Sequence, residues 1–186
     1  AYPARESQEE QEAVATLLVA SLAELGVTAR ELEYEHLGRT YRNIEVEIPG
    51  TDLAGEIYIA GAHFDSTSSV AGHAPGADDN ASGTAGILEL ARVLSGCSFR
   101  RTVRLLFFSN EEVGMIGSGH YAADAAARGD DIQGFLNLDM IAFGAADEDL
   151  DVATKPAHAW LAERVTAAAD SWVGLDTVTH IDDHCG

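Results

Sequence analysis

Positive charge is scarce in this sequence. The 186 residues include 11 Lys and Arg against 31 Asp and Glu, the net charge is −20, and Lys155 is the only lysine. Proteins that bind nucleic acids or anionic membranes contact phosphate groups through Lys and Arg. We therefore expect no nucleic-acid partner and no membrane partner. An acidic surface favours solubility and metal cations instead.

Cysteine is also scarce, with only Cys97 and Cys185 in the chain. These two residues lack the C-x-x-C spacing of a metal–thiolate site, so such a site is not expected. The sequence leaves open whether they form a disulfide with each other or with something else.

Long apolar runs are missing as well. No run approaches the roughly 20 residues that a membrane helix needs, and the polar opening AYPARESQEEQEA does not resemble a signal peptide. With 46% hydrophobic residues, a chain of this length can bury about 70% of its unfolded surface. We predict a single domain over residues 1–186, and the oligomeric state stays open.

The first third of the chain contains signals for a helix and a hairpin. Ser7 and Glu10 form a capping box, and Gly26 follows as a stop signal. One apolar stripe is predicted along this helix, from Val14, Leu18, Leu22 and Leu25. ELEYEH and NIEVEI then alternate polar and apolar residues around LGRT, which predicts an antiparallel hairpin.

Three later segments are short, nearly continuous apolar runs, namely EIYIAGAHFD, TVRLLFFSNEE and IQGFLNLDM. Helical segments, GTAGILELARVL and GSGHYAADAAARG, separate these runs, which is typical of central parallel strands in an α/β fold. DLDVAT predicts a further strand, and PAHAWLAERVTAAAD predicts a helix with Pro156 in its first turn.

Each of the three apolar runs ends in side chains that can bind a metal. His63 and Asp65 end the first run, Glu111 and Glu112 the second, and Asp139 the third. The loop PGADDNASG, with Asp78 and Asp79, follows His63. In open α/β sheets, ligands bind at the carboxyl ends of the strands.

Each of these features alone has an ordinary explanation. A histidine at a strand end is commonly a structural residue, Asp-Asp-Asn is common in turns and helix N-caps, and Glu-Glu is common at helix starts. Their coincidence at one edge of one sheet predicts a metal site. Nitrogen and oxygen ligands without thiolate suit Zn²⁺, Co²⁺ or Mn²⁺. The surplus of carboxylates indicates two ions that share a bridging aspartate.

Four motifs in order, GAHFDS, APGADDNASG, FFSNEEVGMIGS and LNLDM, closely resemble those of the co-catalytic di-zinc aminopeptidases. These are zinc exopeptidases that include secreted bacterial leucine-type enzymes. The resemblance covers the chain from about Ser7 to its end. It implies a three-layer α/β sandwich with a mixed, largely parallel central sheet flanked by helices.

The resemblance also implies a role for each site residue. His63 and Asp139 bind one zinc ion, Glu112 binds the other, and Asp79 bridges the two ions, with a cis peptide bond after it. Asp65 orients the imidazole of His63, as carboxylates beside metal-binding histidines do. Glu111 is the general base.

These roles describe a hydrolytic reaction on peptide substrates with a free N-terminus. Zinc bound as the resemblance implies would lower the pKa of a water and polarise the scissile carbonyl, and Glu111 would move the proton from the water to the leaving amine. We expect a preference for a free N-terminus, because an ammonium group would gain from resting among the carboxylates. The secreted relatives and the acidic composition predict an extracellular or periplasmic location.

The chain departs from the resembled family in one respect. The family has a further histidine ligand in an SDH-type motif, and this chain ends at HIDDHCG, which resembles the segment just before that motif. Neither His180 nor His184 aligns as the missing ligand. We expect that the C-terminal part of the catalytic domain is missing, that the second ion is bound more weakly, and that this chain by itself is inactive.

Three alternatives remain open: a metal-dependent carboxypeptidase, a glutaminyl cyclase of the same superfamily, and a non-catalytic peptidase-like binding module. A carboxypeptidase needs a cationic anchor for the substrate carboxylate, and no arginine among Arg92, Arg100, Arg101 and Arg104 has a clear case for that role. His36, His73, His120 and His158 are assigned to surface or loop positions, although His73 lies in the loop that leads to Asp79.

Overall fold

The computed structural model describes residues 4–70, 73–142 and 149–182. The chain divides into two compact units, Ala1–Ile141 and Ala142–Gly186. The single domain expected over residues 1–186 stays a prediction, because compactness of two parts does not decide whether they fold independently. Among the described residues, no helix has the length and apolar character needed to cross a membrane.

The first unit alternates strands and helices. Its helices are α1 (Gln8–Glu24), α2 (Ala81–Leu94) and α3 (Ile116–Arg128). Its strands are β1 (Arg30–His36), β2 (Arg39–Ile48), β3 (Leu53–His63), β4 (Arg101–Phe108) and β5 (Asp131–Asn137).

Helix α1 begins at the predicted capping box, in which the Ser7 side chain accepts from the Glu10 backbone and the Glu10 side chain accepts from the Ser7 backbone. Its predicted stripe is buried at Val14, Leu18 and Leu22. The prediction was wrong for Leu25, which is the C-cap residue and is 39% exposed. The helix ends there because Gly26 adopts a positive φ of 74°.

The predicted hairpin is confirmed. Strands β1 and β2 pair antiparallel, and the last pair, His36 with Arg39, leaves Leu37 and Gly38 as a two-residue turn. Both turn residues have positive φ, 50° and 72°, which is the backbone of a type I′ turn.

The five strands form a mixed sheet in the order β1-β2-β4-β3-β5. Strand β3 pairs in parallel with both β4 and β5, so the three predicted apolar runs are the parallel part of the sheet. Strand β2 pairs antiparallel with β4 and attaches the hairpin to this parallel part. The carboxyl ends of β3, β4 and β5 therefore lie side by side.

Helices cover both faces of the sheet, which confirms the three-layer α/β arrangement. On one face, Leu105 and Phe107 of β4 pack in a core with α1 and α2. The alternate residues, Leu106 and Phe108, pack on the other face with Tyr121 of α3. This alternation follows from the period of two along a strand.

The second unit contains a parallel pair of strands, β6 (Leu150–Thr154) and β7 (Thr177–Ile181). The chain between them forms a 3₁₀ turn (Pro156–His158), helix α4 (Ala159–Ala168) and a π-helical turn (Ala169–Val173). The predicted strand DLDVAT and the predicted helix are confirmed, with Pro156 in the 3₁₀ turn that precedes α4.

Candidate metal centre

The predicted site residues follow the ends of three neighbouring parallel strands. His63 is the last residue of β3, Glu111 lies just beyond the end of β4, and Asp139 lies just beyond β5. Asp79 lies in the loop that enters α2. The strand order brings these four residues to one edge of the sheet.

The imidazole of His63 is the centre of this group. Its Nε2 atom lies 3.1 Å from Asp79 Oδ1, 3.6 Å from Asp139 Oδ1 and 3.9 Å from Glu111 Oε2. Among the described residues, His63, Asp79 and Asp139 form the one group whose ligand atoms all lie within 4.8 Å of one another. The His63 side chain is 3% exposed, whereas those of Asp79 and Asp139 are 46% and 39% exposed. The site is therefore buried at its bottom, where His63 lies, and open to solvent on the side of Asp79 and Asp139.

Asp65 connects the imidazole to the loop after β4. Its Oδ1 atom lies 3.5 Å from His63 Nδ1 and accepts a hydrogen bond from the backbone N–H of Glu111 at 3.0 Å. Its Oδ2 atom accepts from the backbone N–H of Glu112 at 3.1 Å. The carboxylate is 2% exposed. His63 Nδ1 also lies 3.2 Å from the backbone carbonyl oxygen of Asp65, so this residue contacts the imidazole through its backbone and its side chain, and its side chain fixes the backbone of the two glutamates.

The two glutamates differ in their surroundings. Burial raises the pKa of Glu111, the charge of His63 opposes this rise, and the carboxylates of Asp65, Asp139 and Asp79 add to it. Burial and the carboxylate of Asp79 also raise the pKa of Glu112. Glu112 Oε1 accepts a hydrogen bond from Thr67 N at 3.0 Å, and Glu112 lies outside the compact group of three.

The carboxylates at this site carry negative charge that a bound cation would balance. Burial lowers the pKa of His63, but hydrogen bonds to Asp139 and Asp65 outweigh it and raise this pKa to about 10. Within the described part of the chain, no lysine or arginine nitrogen lies within 4.0 Å of the carboxylates of Asp65, Asp79, Glu111, Glu112 or Asp139. One imidazole among oxygen donors is a donor set that suits Zn²⁺.

The loop that carries Asp79 is fixed through Asn80. The Asp79–Asn80 peptide bond is cis, as the resemblance implied. The buried Asn80 side chain caps α2 by accepting from Gly83 N at 2.9 Å and donates to Leu138 O at 2.8 Å. Because Leu138 directly precedes Asp139, one amide side chain links the loop of Asp79 to the segment of Asp139.

Comparison with known proteins identifies the family. The model of peptidase family M28 matches residues 43–184, which is most of the chain. This chain belongs to peptidase family M28. A leucine aminopeptidase 1 from Arthroderma otae is 33% identical over 159 residues, covering 77% of this chain and 41% of that protein.

Solved structures give the same fold for this M28 chain. The LapA aminopeptidase of Legionella pneumophila superposes with a TM-score of 0.82 at 20% identity, covering 100% of this chain and 53% of LapA. A glutaminyl cyclase from Porphyromonas gingivalis superposes with a TM-score of 0.67 at 25% identity, covering 94% of this chain and 69% of the cyclase. The M28 chain thus spans about two-fifths of the leucine aminopeptidase and about half of LapA.

The remaining histidines of this M28 chain lie elsewhere or outside the described residues. His73 is exposed, and its backbone N–H donates to Val70 O at 3.0 Å. His120 stacks on Tyr34 with 4.6 Å between ring centroids, and His180 Nε2 lies 3.0 Å from Asp151 Oδ1. His184 and Cys185 fall outside the described residues, and Cys97 is an exposed free thiol.

Sequence reasoning missed two sets of residues that hold the site of this M28 chain in place. Arg5 donates to backbone carbonyls beside Asp79. A second set holds the loop after β4: Asn110 Nδ2 donates to Tyr34 OH at 2.9 Å, and Gln11 Nε2 donates to Asn110 Oδ1 at 3.1 Å. Asn110 has a positive φ of 55°, a conformation that asparagine adopts more readily than most residues. Apart from this preference, the residue types give little indication of these contacts.

Proposed function

We propose that this chain carries the metal centre and the general base of a zinc-dependent aminopeptidase. The observation that carries this proposal is the convergence of His63, Asp79 and Asp139 within 4.8 Å, with Glu111 beside them. Membership of peptidase family M28 and the identity to a leucine aminopeptidase support it.

The residues present fit two zinc ions unequally. His63, Asp79 and Asp139 would hold the first ion, and Asp79 and Glu112 would hold the second. Bound zinc supplies Lewis acidity, which polarises the substrate carbonyl and lowers the pKa of a water. Because two carboxylates among the described residues serve the second ion, against three ligands for the first, we expect it to bind more weakly than the first.

Glu111 has the surroundings of a general base. Its backbone is fixed by Asp65, and its carboxylate has a raised pKa because of burial. A base whose pKa lies closer to the working pH transfers protons more efficiently. Glu111 takes the proton of the attacking water and delivers it to the amine that leaves when the peptide bond breaks.

The same carboxylates favour a substrate with a free N-terminus. Asp79, Glu111 and Asp139 are partly exposed at the mouth of the site, where an ammonium group gains from their charge. A blocked or internal amide lacks that charge. The extracellular or periplasmic location stays a prediction.

The arginines do not favour a carboxypeptidase. Each of the four that were considered as a carboxylate anchor forms an ion pair within the chain: Arg92 with Glu89, Arg100 with Asp52, Arg101 with Glu56, and Arg104 with Glu47 and Asp130. A substrate carboxylate would have to displace these partners.

Glu111→Gln tests the proposal. Turnover of leucine p-nitroanilide is measured on this chain and on a version extended past Gly186 to the histidine that the resemblance calls for. In the active form, Glu111→Gln should lower turnover by about 10²–10⁴-fold, because the amide cannot accept the proton. Zinc content should not change.

Glu89→Gln is the matched control, since Glu89 is exposed on α2 and, among the described residues, forms its ion pair with Arg92. Near-normal turnover by a zinc-loaded Glu111→Gln variant would contradict the assigned base. An extended chain that binds zinc and cyclises N-terminal glutamine, but releases no amino acid, would replace the aminopeptidase with the cyclase.

A further inference from the structure

Arg5 is a buried cation next to the metal centre that the proposed mechanism does not use. It lies two residues before the capping box of α1 and is 7% exposed. Arginine is rarely this buried unless it is paired.

The Arg5 guanidinium donates to three backbone carbonyls. Nε donates to Phe64 O at 2.6 Å, Nη1 to Pro75 O at 2.6 Å and Nη2 to Gly76 O at 2.9 Å. Phe64 directly follows His63, and Gly76 lies three residues before Asp79. One planar group thus joins the segment of the first ligand to the loop of the second.

The loop is built to admit this side chain at Gly76. Gly76 has a φ of +49°, and a Cβ atom there would meet Arg5 Nη2 at 2.4 Å and Asp79 O at 2.3 Å. The Gly76 carbonyl also accepts from Ala81 N at 2.9 Å, which closes the turn around Asp79 and Asn80.

The charge of Arg5 has no direct counter-ion among the described residues. Seven other arginines form ion pairs within 4.0 Å: Arg30, Arg42, Arg92, Arg100, Arg101, Arg104 and Arg128. Arg5 forms none, and the carboxylates that attract it over a longer range are Asp65, Asp79 and Glu112 of the candidate site. A buried charge without a close partner costs stability, so packing alone does not account for it.

We propose that Arg5 is a positioning residue that holds the Asp79 loop in its metal-binding geometry before the ion arrives. This inference rests on the proposed metal site. Arg5 acts on zinc in two opposite ways: its hydrogen bonds preorganise Asp79, and its positive charge repels the ion. The positioning effect is the larger of the two.

Zinc affinity of two variants tests this balance. Arg5→Lys keeps the charge but loses the planar fork of donors, and Arg5→Met loses both. Competition with a chromophoric chelator should show that both variants bind zinc about 10–100-fold more weakly than the parent chain, the usual effect of removing a group that supports a metal ligand.

Arg104→Lys is the control. Arg104 of β4 is similarly buried, at 8% exposure, but it pairs with Glu47 of β2 and with Asp130, directly before β5, rather than with the Asp79 loop. It should lower the midpoint of urea unfolding and leave zinc affinity close to that of the parent. An equal loss of affinity in Arg104→Lys, or unchanged or tighter binding in Arg5→Met, would overturn the inference.

Hydrogen exchange of the parent chain provides a test that needs no folded variant. If Arg5 preorganises the loop, the Ala81 amide is protected in the metal-free protein and gains little when zinc is added. Protection that appears only with zinc would also overturn the inference. A parent chain that binds no zinc at all would instead defeat the proposed function, so the two failures are distinguishable.

Discussion

Asp65 shows how much a single residue contributes to this site. Its two carboxylate oxygens accept from the backbone N–H groups of Glu111 and Glu112, and one of them also lies 3.5 Å from His63 Nδ1. A charged acceptor that is 2% exposed and accepts from two backbone N–H groups has little freedom to move. The imidazole and both glutamates therefore depend on one side chain.

Asp65→Asn should weaken zinc binding by about 10–100-fold. An amide turns one of the two oxygens into a donor, which then faces a backbone N–H group and leaves it without an acceptor. Chelator competition measures the change. The control is Asp52→Asn, an exposed aspartate that pairs with Arg100. Parent-like affinity in Asp65→Asn would show that the imidazole does not need this carboxylate.

Zinc binding should release a proton from His63. The pKa of this imidazole is raised from 6.5 to about 10 by Asp139 and Asp65, and zinc binds only the neutral ring. The metal-free protein therefore carries an imidazolium at neutral pH, and affinity rises with pH until the pKa is passed. At about pH 7.5, zinc should displace about one proton from this residue.

Titration calorimetry in buffers of different ionisation enthalpy counts that proton. The pH above which this count declines should be lower in Asp65→Asn, because one of the groups that raise the pKa of His63 is lost. A release of only about a tenth of a proton in the parent chain would indicate an ordinary histidine pKa and contradict the close contacts with carboxylates.

The six site residues could be named from the sequence because each follows an apolar run or lies in a motif. Strand ends are local signals, and parallel order brings them together. Arg5 could not be found in this way, because the three carbonyls to which it donates are 59 to 71 residues away in the sequence. His73 lies in the loop that leads to Asp79 and is exposed, which agrees with its assignment to a surface or loop position.

At the scale of elements, the site depends on a close contact between α2 and the segment after β5. A Cβ atom on Gly83 would lie 2.2 Å from Leu138 O and 2.4 Å from Asn80 Oδ1. Both are atoms that hold the loops of Asp79 and Asp139. The helix can approach this closely only because its first turn contains glycine.

Gly83→Ala should therefore destabilise the chain by about 1–3 kcal/mol, the range for overpacked sites. Urea unfolding measures the change. Gly119→Ala is the control, because Gly119 is exposed in α3 with nothing within 4 Å of its Cβ position. Alanine there should stabilise the helix by about 0.5–1 kcal/mol. Equal effects of both substitutions would contradict the close contact.

Elements with local signals were predicted well. The capping box of α1 and the alternation of polar and apolar residues in β1 and β2 both depend on residues that are close in sequence. Leu25 was predicted wrongly because helical periodicity continues past the point where Gly26 ends the helix. The antiparallel pairing of β2 with β4 joins distant segments, and no local pattern predicts such a partner.

At the scale of the whole molecule, all six predicted site residues lie in the first compact unit, Ala1–Ile141. The chain covers 41% of the length of the leucine aminopeptidase from Arthroderma otae. Its net charge is −20. We expect this acidic chain to bind one zinc ion tightly, through His63, Asp79 and Asp139, and a second ion more weakly.

A zinc titration of the parent chain tests that claim most directly, with His63→Ala, Asp79→Asn and Asp139→Asn beside it and Asp52→Asn as the exposed control. We expect one tight ion and a second, weaker one in the parent, loss of the tight ion in each of the three variants, and no change in the control. Tight binding that survives all three substitutions, or two equally tight ions in the parent, would contradict it.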